Sequence, residues 1–335
     1  MAIRVGIIGA SGYTGAELLR LMAAHPEMSL AFATADSQAG QDITTLYPHL
    51  VSYAGEKLLK LTELGKGIES ADLVFCALPH GEAMKILPGL KNKVIIDLGG
   101  DFRLSDAEDY TKWYQHKHTA ADVLSDWQYG LTELFREEIK NSDKIANPGC
   151  YPTASALTLA PLFRESLLEG DVIINALSGT SGAGRLPAAG LHVSHVLEDV
   201  RAYKVTSHQH TPEIEMAIKA YSNKEVLVTF TPHLLPMVRG INVTCTAAAA
   251  SQTDIDKLFD CLYQTYKHDF FIKVVKTNAG TKEVRASNMA VISGFLNQKS
   301  GQAVLTCVID NLVKGAAGQT IQKAKLIFRC EENTG

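Results

Sequence analysis

The chain has 335 residues, 46% of them hydrophobic and 20% charged, with a formal net charge of −4 at pH 7. It is longer than one core usually serves, so two domains of an ordinary soluble globular protein are expected. The mild acidity does not suit a nucleic-acid surface, no apolar run approaches a membrane span, and the chain enters a strand at once without a signal peptide, which points to the cytoplasm.

Residues 4–8 read as a short apolar strand, followed by Gly9-Ala10-Ser11-Gly12-Tyr13-Thr14-Gly15 and an apolar helical pattern over residues 16–22. Strand, glycine turn and helix is the context a dinucleotide-binding turn requires. The glycines make the turn, admit the pyrophosphate and let helix pack on strand. Gly9, Ser11, Gly12, Tyr13, Thr14 and Gly15 are therefore expected to hold a dinucleotide. The spacing is GxxGxxG in place of GxGxxG, a variant associated with NADP. Residues 28–35 read as a second strand, at whose end an acidic residue would bind the ribose of NAD and repel a 2′-phosphate. Asp36 stands near that position, which is discordant. Ser37 and Gln38 beside it can bond the phosphate if Asp36 points away, and no arginine lies in residues 33–40.

Further strands are expected at residues 71–78, 94–98 and 144–146, with a helix at 82–87. Short continuous apolar strands alternating with helices indicate a parallel sheet covered on both faces. Such sheets bind ligands at their strand ends, which gathers the Gly9 turn, Pro79-His80-Gly81 and Gly99-Gly100-Asp101-Phe102-Arg103 along one edge. Pro79 joins the expected cofactor set on that ground.

Asn147-Pro148-Gly149-Cys150-Tyr151-Pro152-Thr153 then places a cysteine where a turn hands over to an apolar helix. The helix dipole and the unpaired N–H groups at that end favour thiolate, the nucleophilic form, so Cys150 is expected to be catalytic. Cys76, Cys245 and Cys307 lie in apolar strand-like runs and read as core. With Cys261 and Cys330 the cysteines form no CxxC pair and no regular framework, as reduced thiols would.

Beyond Cys150, longer strands with more β-branched residues are expected at 171–176, 226–230, 241–247 and 289–296, with helices at 211–221 and 253–266. This reads as a mixed domain with an open sheet, able to supply substrate groups and a subunit interface. A strand at 303–309 leads into a small-residue helix, read as docking back onto the first domain with Asn311 aimed at the cofactor. The expected fold is α/β: a Rossmann-type doubly wound parallel sheet domain over residues 1–149, completed by a C-terminal helix at 310–335, plus an α+β catalytic and dimerisation domain with a mixed sheet over 150–309.

Taken together, the Gly9 turn, Asp101-Phe102-Arg103, the Cys150 block, Gly179-Thr180-Ser181-Gly182-Ala183-Gly184-Arg185, His208-Gln209-His210-Thr211-Pro212-Glu213 and residues 311–318 resemble the N-acetyl-gamma-glutamyl-phosphate reductase family over essentially the whole length. Aspartate-semialdehyde and glyceraldehyde-3-phosphate dehydrogenases share the architecture and the thiol but not this set of motifs. The resemblance implies NADPH-dependent reduction of an acyl phosphate to an aldehyde and free phosphate in the arginine pathway, by a homodimer or homotetramer.

That chemistry needs a nucleophile, an acid–base group and cations for a phosphate and a carboxylate. Cys150 attacks, and splitting the reaction through a covalent thioester lowers each barrier. His208 and His210 are the acid–base candidates; Glu213, in the first turn beyond Pro212, can hold one imidazole in a fixed tautomer. His210 is favoured as the partner of Cys150, with Glu213 as its orienter and His208 near the substrate. Arg103, Arg185 and Arg239, with Asn147, form the expected substrate set. Ser181 and Gly182 are placed with the phosphate or the nicotinamide. His25, His49, His116, His118 and His268 have no motif around them and are expected to be exposed. No His/Cys/Asp/Glu cluster has metal-ligand spacing, so no metal is expected. Two competing readings remain at this stage, an aspartate-semialdehyde-type dehydrogenase acting on another acyl phosphate and a non-catalytic dinucleotide-binding module.

Overall fold

A computed structural model of the chain describes residues 2–335, the side chain of Lys66 excepted. The chain divides into two compact units, residues 1–148 with 316–335, and residues 149–315.

The first unit carries β1 (Ile3–Ile8), α1 (Tyr13–Met22), β2 (Met28–Ala33), β3 (Leu73–Cys76), β4 (Val94–Asp97), α2 (Ala107–Tyr114), β5 (Gln128–Tyr129) and β6 (Lys144–Ala146). The strands form one parallel sheet in the order β2-β1-β3-β4-β6-β5. Its apolar centre, including Val5, Ile7, Leu73, Phe75, Ile95 and Ile96, has no solvent exposure. That explains why these strands are short, continuous apolar runs. The strand order reverses direction between β1 and β3, the switch point at which open α/β sheets bind ligands.

Two elements here were not anticipated. β5 is too short to leave an apolar run in the sequence. Helix α2 starts at Asp106, whose carboxylate accepts the Glu108 N–H at 2.7 Å, and stops at left-handed Gln115 (φ 59°).

The second unit contains α3 (Cys150–Arg164), β7 (Leu168–Ser178), β8 (Arg201–Ala202), α4 (His210–Ser222), β9 (Val228–Leu234), β10 (Ile241–Ala249), α5 (Ile255–Tyr266), β11 (Ile272–Val275), β12 (Ala290–Asn297) and β13 (Gln302–Ile309). Its mixed sheet runs β11-β12-β13-β10-β7-β9-β8. Along β10 every second residue from Ile241 to Ala247 is buried, so one face of the sheet carries the core and the other stays partly open. Helix α3 packs on β10 and β13 and against α4. It is buried continuously from Tyr151 to Phe163, a helix apolar all round because it lies at the centre of its unit.

The C-terminal segment departs from the expected helix at 310–335. Asp310 accepts the N–H groups of Leu312 (2.8 Å) and Val313 (3.1 Å), and the Gly315 N–H reaches back to the Asp310 carbonyl at 2.9 Å. This five-residue reach produces a π-turn over Val313–Ala317. The α-helix proper, α6, spans Gly318–Ile327 only. Residues 310–315, Asn311 included, therefore belong with the second unit, and residues from 316 onward with the first.

Candidate active site

Cys150 is the first residue of α3, and Gly149 is its N-cap with no side chain to occupy the helix end. The thiol is half-buried while the rest of the helix is sealed. The positive end of the helix dipole favours an anion there. Gly149 donates its N–H to Glu213 Oε1 at 2.7 Å, and its carbonyl accepts both the N–H (2.9 Å) and the hydroxyl (2.8 Å) of Thr153. The turn before the thiol is thus pinned from α4 and from its own helix. Glu213, which has no exposure, was expected to orient His210; through this bond it grips the turn before Cys150.

His208 and His210 are both buried, with ring centroids 4.7 Å apart. The ring of Tyr151 lies edge-on to both, at 5.6 and 5.7 Å. His210 opens α4, and its backbone N–H donates to His208 Nδ1 at 3.1 Å. That bond makes Nδ1 of His208 an acceptor, so a neutral His208 carries its proton on Nε2. Tyr203, absent from the sequence-based set, places its hydroxyl 2.9 Å from that of Tyr151. Burial pushes the Tyr203 phenol up to about 12, the Tyr151 hydroxyl draws it down, and the charge of nearby Cys150 raises it. Burial first, then the charges of Tyr203 and Cys150, raise the Tyr151 phenol still further. Both phenols therefore remain protonated beside the thiol, as donors.

Around the same unit, Asn311 joins two loops: its Oδ1 accepts the Gly240 N–H at 2.8 Å and its Nδ2 donates to Ser181 Oγ at 2.9 Å. Both Asn311 and Ser181 are buried. Both side chains were expected at the cofactor, and each is held in place by the other. Gly182 and Arg185 are exposed on the loop that Ser181 anchors. Arg239 is partly exposed and lies 3.5 Å from the buried Asp310 carboxylate.

In the first unit the glycine turn shows different constraints at each glycine. Gly9 has φ +87°, and a β-carbon there would lie 2.6 Å from the Ala77 carbonyl; one at Gly15 would lie 2.5 Å from the Gly9 carbonyl. At Gly12 nothing comes nearer than 3.8 Å. Gly9 and Gly15 close the turn, and Gly12 leaves open space at the uncapped N-terminus of α1, which fits a pyrophosphate. Ser11 and Thr14 are partly exposed beside it and Tyr13 is exposed. Ser37 and Asp36 are exposed in the turn after β2. Pro79 is exposed on a loop held from below by fully buried Asp101, which accepts the Gly81 N–H (2.7 Å), the Met84 N–H (3.1 Å) and the Tyr110 hydroxyl (2.8 Å).

Arg103 and Asn147, both expected to bind substrate, lie inside the first unit. Arg103 is buried and donates to the carbonyls of Asn147 and Leu98, both at 2.8 Å. Asn147 is buried too, with its side chain bonded to Thr320, Lys323 and the Pro148 carbonyl. These two residues tie the ends of β4 and β6 to α6. Two histidines expected at the surface are also buried: His25, and His118, whose Nε2 lies 2.8 Å from the Asp101 carbonyl and whose ring packs on Phe102 and Tyr110. Among the described residues no cluster of three or more His, Cys, Asp or Glu could hold a metal, and no helix is long and apolar enough to cross a membrane.

Residues 4–142 match the family described as semialdehyde dehydrogenase, NAD binding domain, and residues 150–311 match semialdehyde dehydrogenase, dimerisation domain. An N-acetyl-gamma-glutamyl-phosphate reductase of Desulforudis audaxviator is 41% identical, covering 99% of this chain and 97% of that one. Another, of Pelotomaculum thermopropionicum, is 42% identical over 100% of this chain and 98% of its own length. The chain belongs to the N-acetyl-gamma-glutamyl-phosphate reductase family. Aspartate semialdehyde dehydrogenase II of Vibrio cholerae shares the fold, with a TM-score of 0.76 over 98% of this chain and 99% of that one at 16% identity.

For this member of the N-acetyl-gamma-glutamyl-phosphate reductase family, the parallel Rossmann-type sheet and the mixed-sheet domain are both present as expected. Three side chains were missed: Tyr203 beside Tyr151 in the second unit, and Lys323 and Thr320 beside Asn147 in the first. Tyr203 followed a run of charged residues with no periodicity, and Lys323 and Thr320 sit in a polar-looking helix whose burial only the fold reveals.

Proposed function

We propose that the chain catalyses NADPH-dependent reduction of N-acetyl-gamma-glutamyl phosphate to N-acetylglutamate 5-semialdehyde and phosphate, a step of arginine biosynthesis. The observation that carries this reading is the half-buried Cys150 thiol at the start of α3, beside the Tyr151–Tyr203 hydroxyl pair and the Tyr151-packed histidines, in a chain 42% identical to a curated reductase over its full length. Cys150 attacks the acyl carbon, and the C–O bond to phosphate breaks to leave a thioester. When bound, the dinucleotide supplies hydride to that carbonyl carbon. The resulting thiohemiacetal collapses, its C–S bond breaking to release aldehyde and thiolate.

His210 is the proton carrier in this reading, since it sits at the start of α4 against the same tyrosine that follows the thiol. Arg185 and Arg239 supply cations for the phosphate and the substrate carboxylate. The turn around Gly12 holds the pyrophosphate. Ser37 bonds the 2′-phosphate of NADP, a preference that the turn spacing supports and the neighbouring Asp36 opposes. The free thiols suit a reducing compartment such as the cytoplasm. A second copy of the chain covers the open face of the mixed sheet, where Ile173 is 52% exposed, to give a homodimer or a tetramer of dimers.

The test is phosphate- or arsenate-dependent reduction of NADP+ by the purified protein with N-acetylglutamate 5-semialdehyde, run beside aspartate semialdehyde. Turnover with the former and not the latter is expected. Preference for aspartate semialdehyde would move the chain to the related dehydrogenases, and no turnover with either would favour a binding module.

A further inference from the structure

Lys323, in α6, has no solvent exposure. A buried ammonium is costly unless each of its N–H groups finds an acceptor. Nζ lies 2.7 Å from Asn147 Oδ1, 2.9 Å from Gln319 Oε1 and 3.0 Å from the Gln319 carbonyl, and a lysine has three donors to give. The Thr320 hydroxyl lies 2.9 Å from the same Asn147 oxygen. The lysine stem passes Gly130, where a β-carbon would come within 2.7 Å of Lys323 Cε.

An ammonium cannot accept a hydrogen bond, so it decides which end of the Asn147 amide it meets. Oδ1 must face Lys323, and Nδ2 must face the Pro148 carbonyl, 3.1 Å away. The main-chain carbonyl of Asn147 is held at the same time by Arg103 Nε at 2.8 Å. Asn147 is thereby fixed in side chain and main chain, and three covalent links later comes Cys150. A role in packing alone would not need a charge, since a hydrophobic side chain of similar volume is usually as stable or more so in such a place.

We infer that Lys323 is a positioning residue for the nucleophile: its buried ammonium locks the Asn147 side chain and, through it, the Asn147-Pro148-Gly149 turn that presents the Cys150 thiol. The inference rests on Cys150 being the nucleophile of the proposed reaction.

The experiment compares Lys323→Met and Thr320→Val with the wild-type enzyme, using Cys150→Ser as control. Read for each are kcat, KM for N-acetylglutamate 5-semialdehyde, Kd for NADP, thermal stability, and the pH profile of iodoacetamide labelling of Cys150, followed at that residue by mass spectrometry. For Lys323→Met, kcat falls roughly tenfold or more and the labelling profile shifts, while Kd for NADP stays within about twofold and thermal stability is kept. Thr320→Val moves the same readouts by about threefold. If Lys323→Met keeps wild-type kcat and labelling, the inference is overturned. If that variant does not fold, an unchanged kcat and labelling profile in Thr320→Val overturns it instead. A Cys150→Ser protein that still turns over would remove the underlying reading, separately from either outcome at Lys323.

Discussion

A β-carbon on Gly315 would lie 2.7 Å from Cβ of Cys150 and 3.3 Å from its Cα. The backbone of the π-turn therefore rests directly on Cys150, which is the physical reason for a glycine in the small-residue stretch after Asn311. Gly315 has no positive φ to satisfy; what it lacks is room. Gly315→Ala should push the first turn of α3 aside and lower kcat by about tenfold to a hundredfold, with an overpacking cost of about 1–3 kcal/mol in stability. Steady-state kinetics beside a denaturant titration would check this. Wild-type kcat in a normally folded Gly315→Ala protein would show that the π-turn does not hold the thiol.

Glu213 and Gly149 give a second test. The buried carboxylate accepts the Gly149 N–H at 2.7 Å, and a glutamine can make the same bond through its amide oxygen. Glu213→Gln should therefore keep the position of the thiol and lose only what the negative charge contributes to the histidines. Glu213→Ala should lose both, leaving a buried N–H without its acceptor at a cost of about 1–3 kcal/mol. The expected order of kcat is wild type, then glutamine, then alanine, with labelling of Cys150 slowed mainly in the alanine variant. Equal losses in both variants would assign Glu213 to charge alone.

Much of the fold was legible because it is written in short windows. The strand at 144–146 and the turn into Cys150 are marked by the apolar pair Ile145-Ala146 and by Pro148-Gly149, both local signals. The glycine turn is likewise local. Gly15 is required by its own turn, through the Gly9 carbonyl, while the Ala77 carbonyl that crowds Gly9 is distant in the chain. What was not legible depends on partners far away in the chain. Lys323 meets Asn147 across 176 residues, and Asn311 meets Ser181 across 130. Nothing in the windows around these residues announces such partners. His118 illustrates the same limit, since its burial follows from the aromatic rings of Phe102 and Tyr110 and not from any pattern at 116–120.

Asp97, at the end of β4, offers a pH test in the cofactor unit. Burial is the main cause that pushes its carboxyl up to about 7; Asp101 adds to the rise, and the Gly99 N–H and Arg103 oppose it. An unfolded chain releases that proton near a pKa of about 3.9. Between about pH 4 and pH 7 the folded state thus binds a proton that the unfolded state has lost, so stability falls as pH rises through this window. The slope is about 1.4 kcal/mol per pH unit from this group, complete by the time pH passes its folded pKa. Asp97→Asn, neutral throughout, should flatten the profile, so that its stability gain over wild type grows from about pH 5 to pH 7. Denaturant titrations across that range would check it, and parallel profiles for the two proteins would contradict the assignment.

The two histidines need a test that respects the bond between them. Because His208 Nδ1 accepts the His210 N–H at 3.1 Å, removing His208 also loosens the start of α4 and hence His210. A simple alanine exchange would blur the two roles. Asparagine at 208 keeps an acceptor oxygen near the Nδ1 position, so His208→Asn should hold His210 in place while removing the imidazole. If His210 is the acid–base partner of Cys150, His210→Ala lowers kcat by roughly 10²–10⁴-fold and moves the iodoacetamide labelling of Cys150 to higher pH. His208→Ala should reproduce part of that shift, and His208→Asn should restore the labelling profile while leaving KM for the semialdehyde raised. A labelling shift in His208→Asn as large as in His210→Ala would reverse the assignment and make His208 the residue that carries the proton.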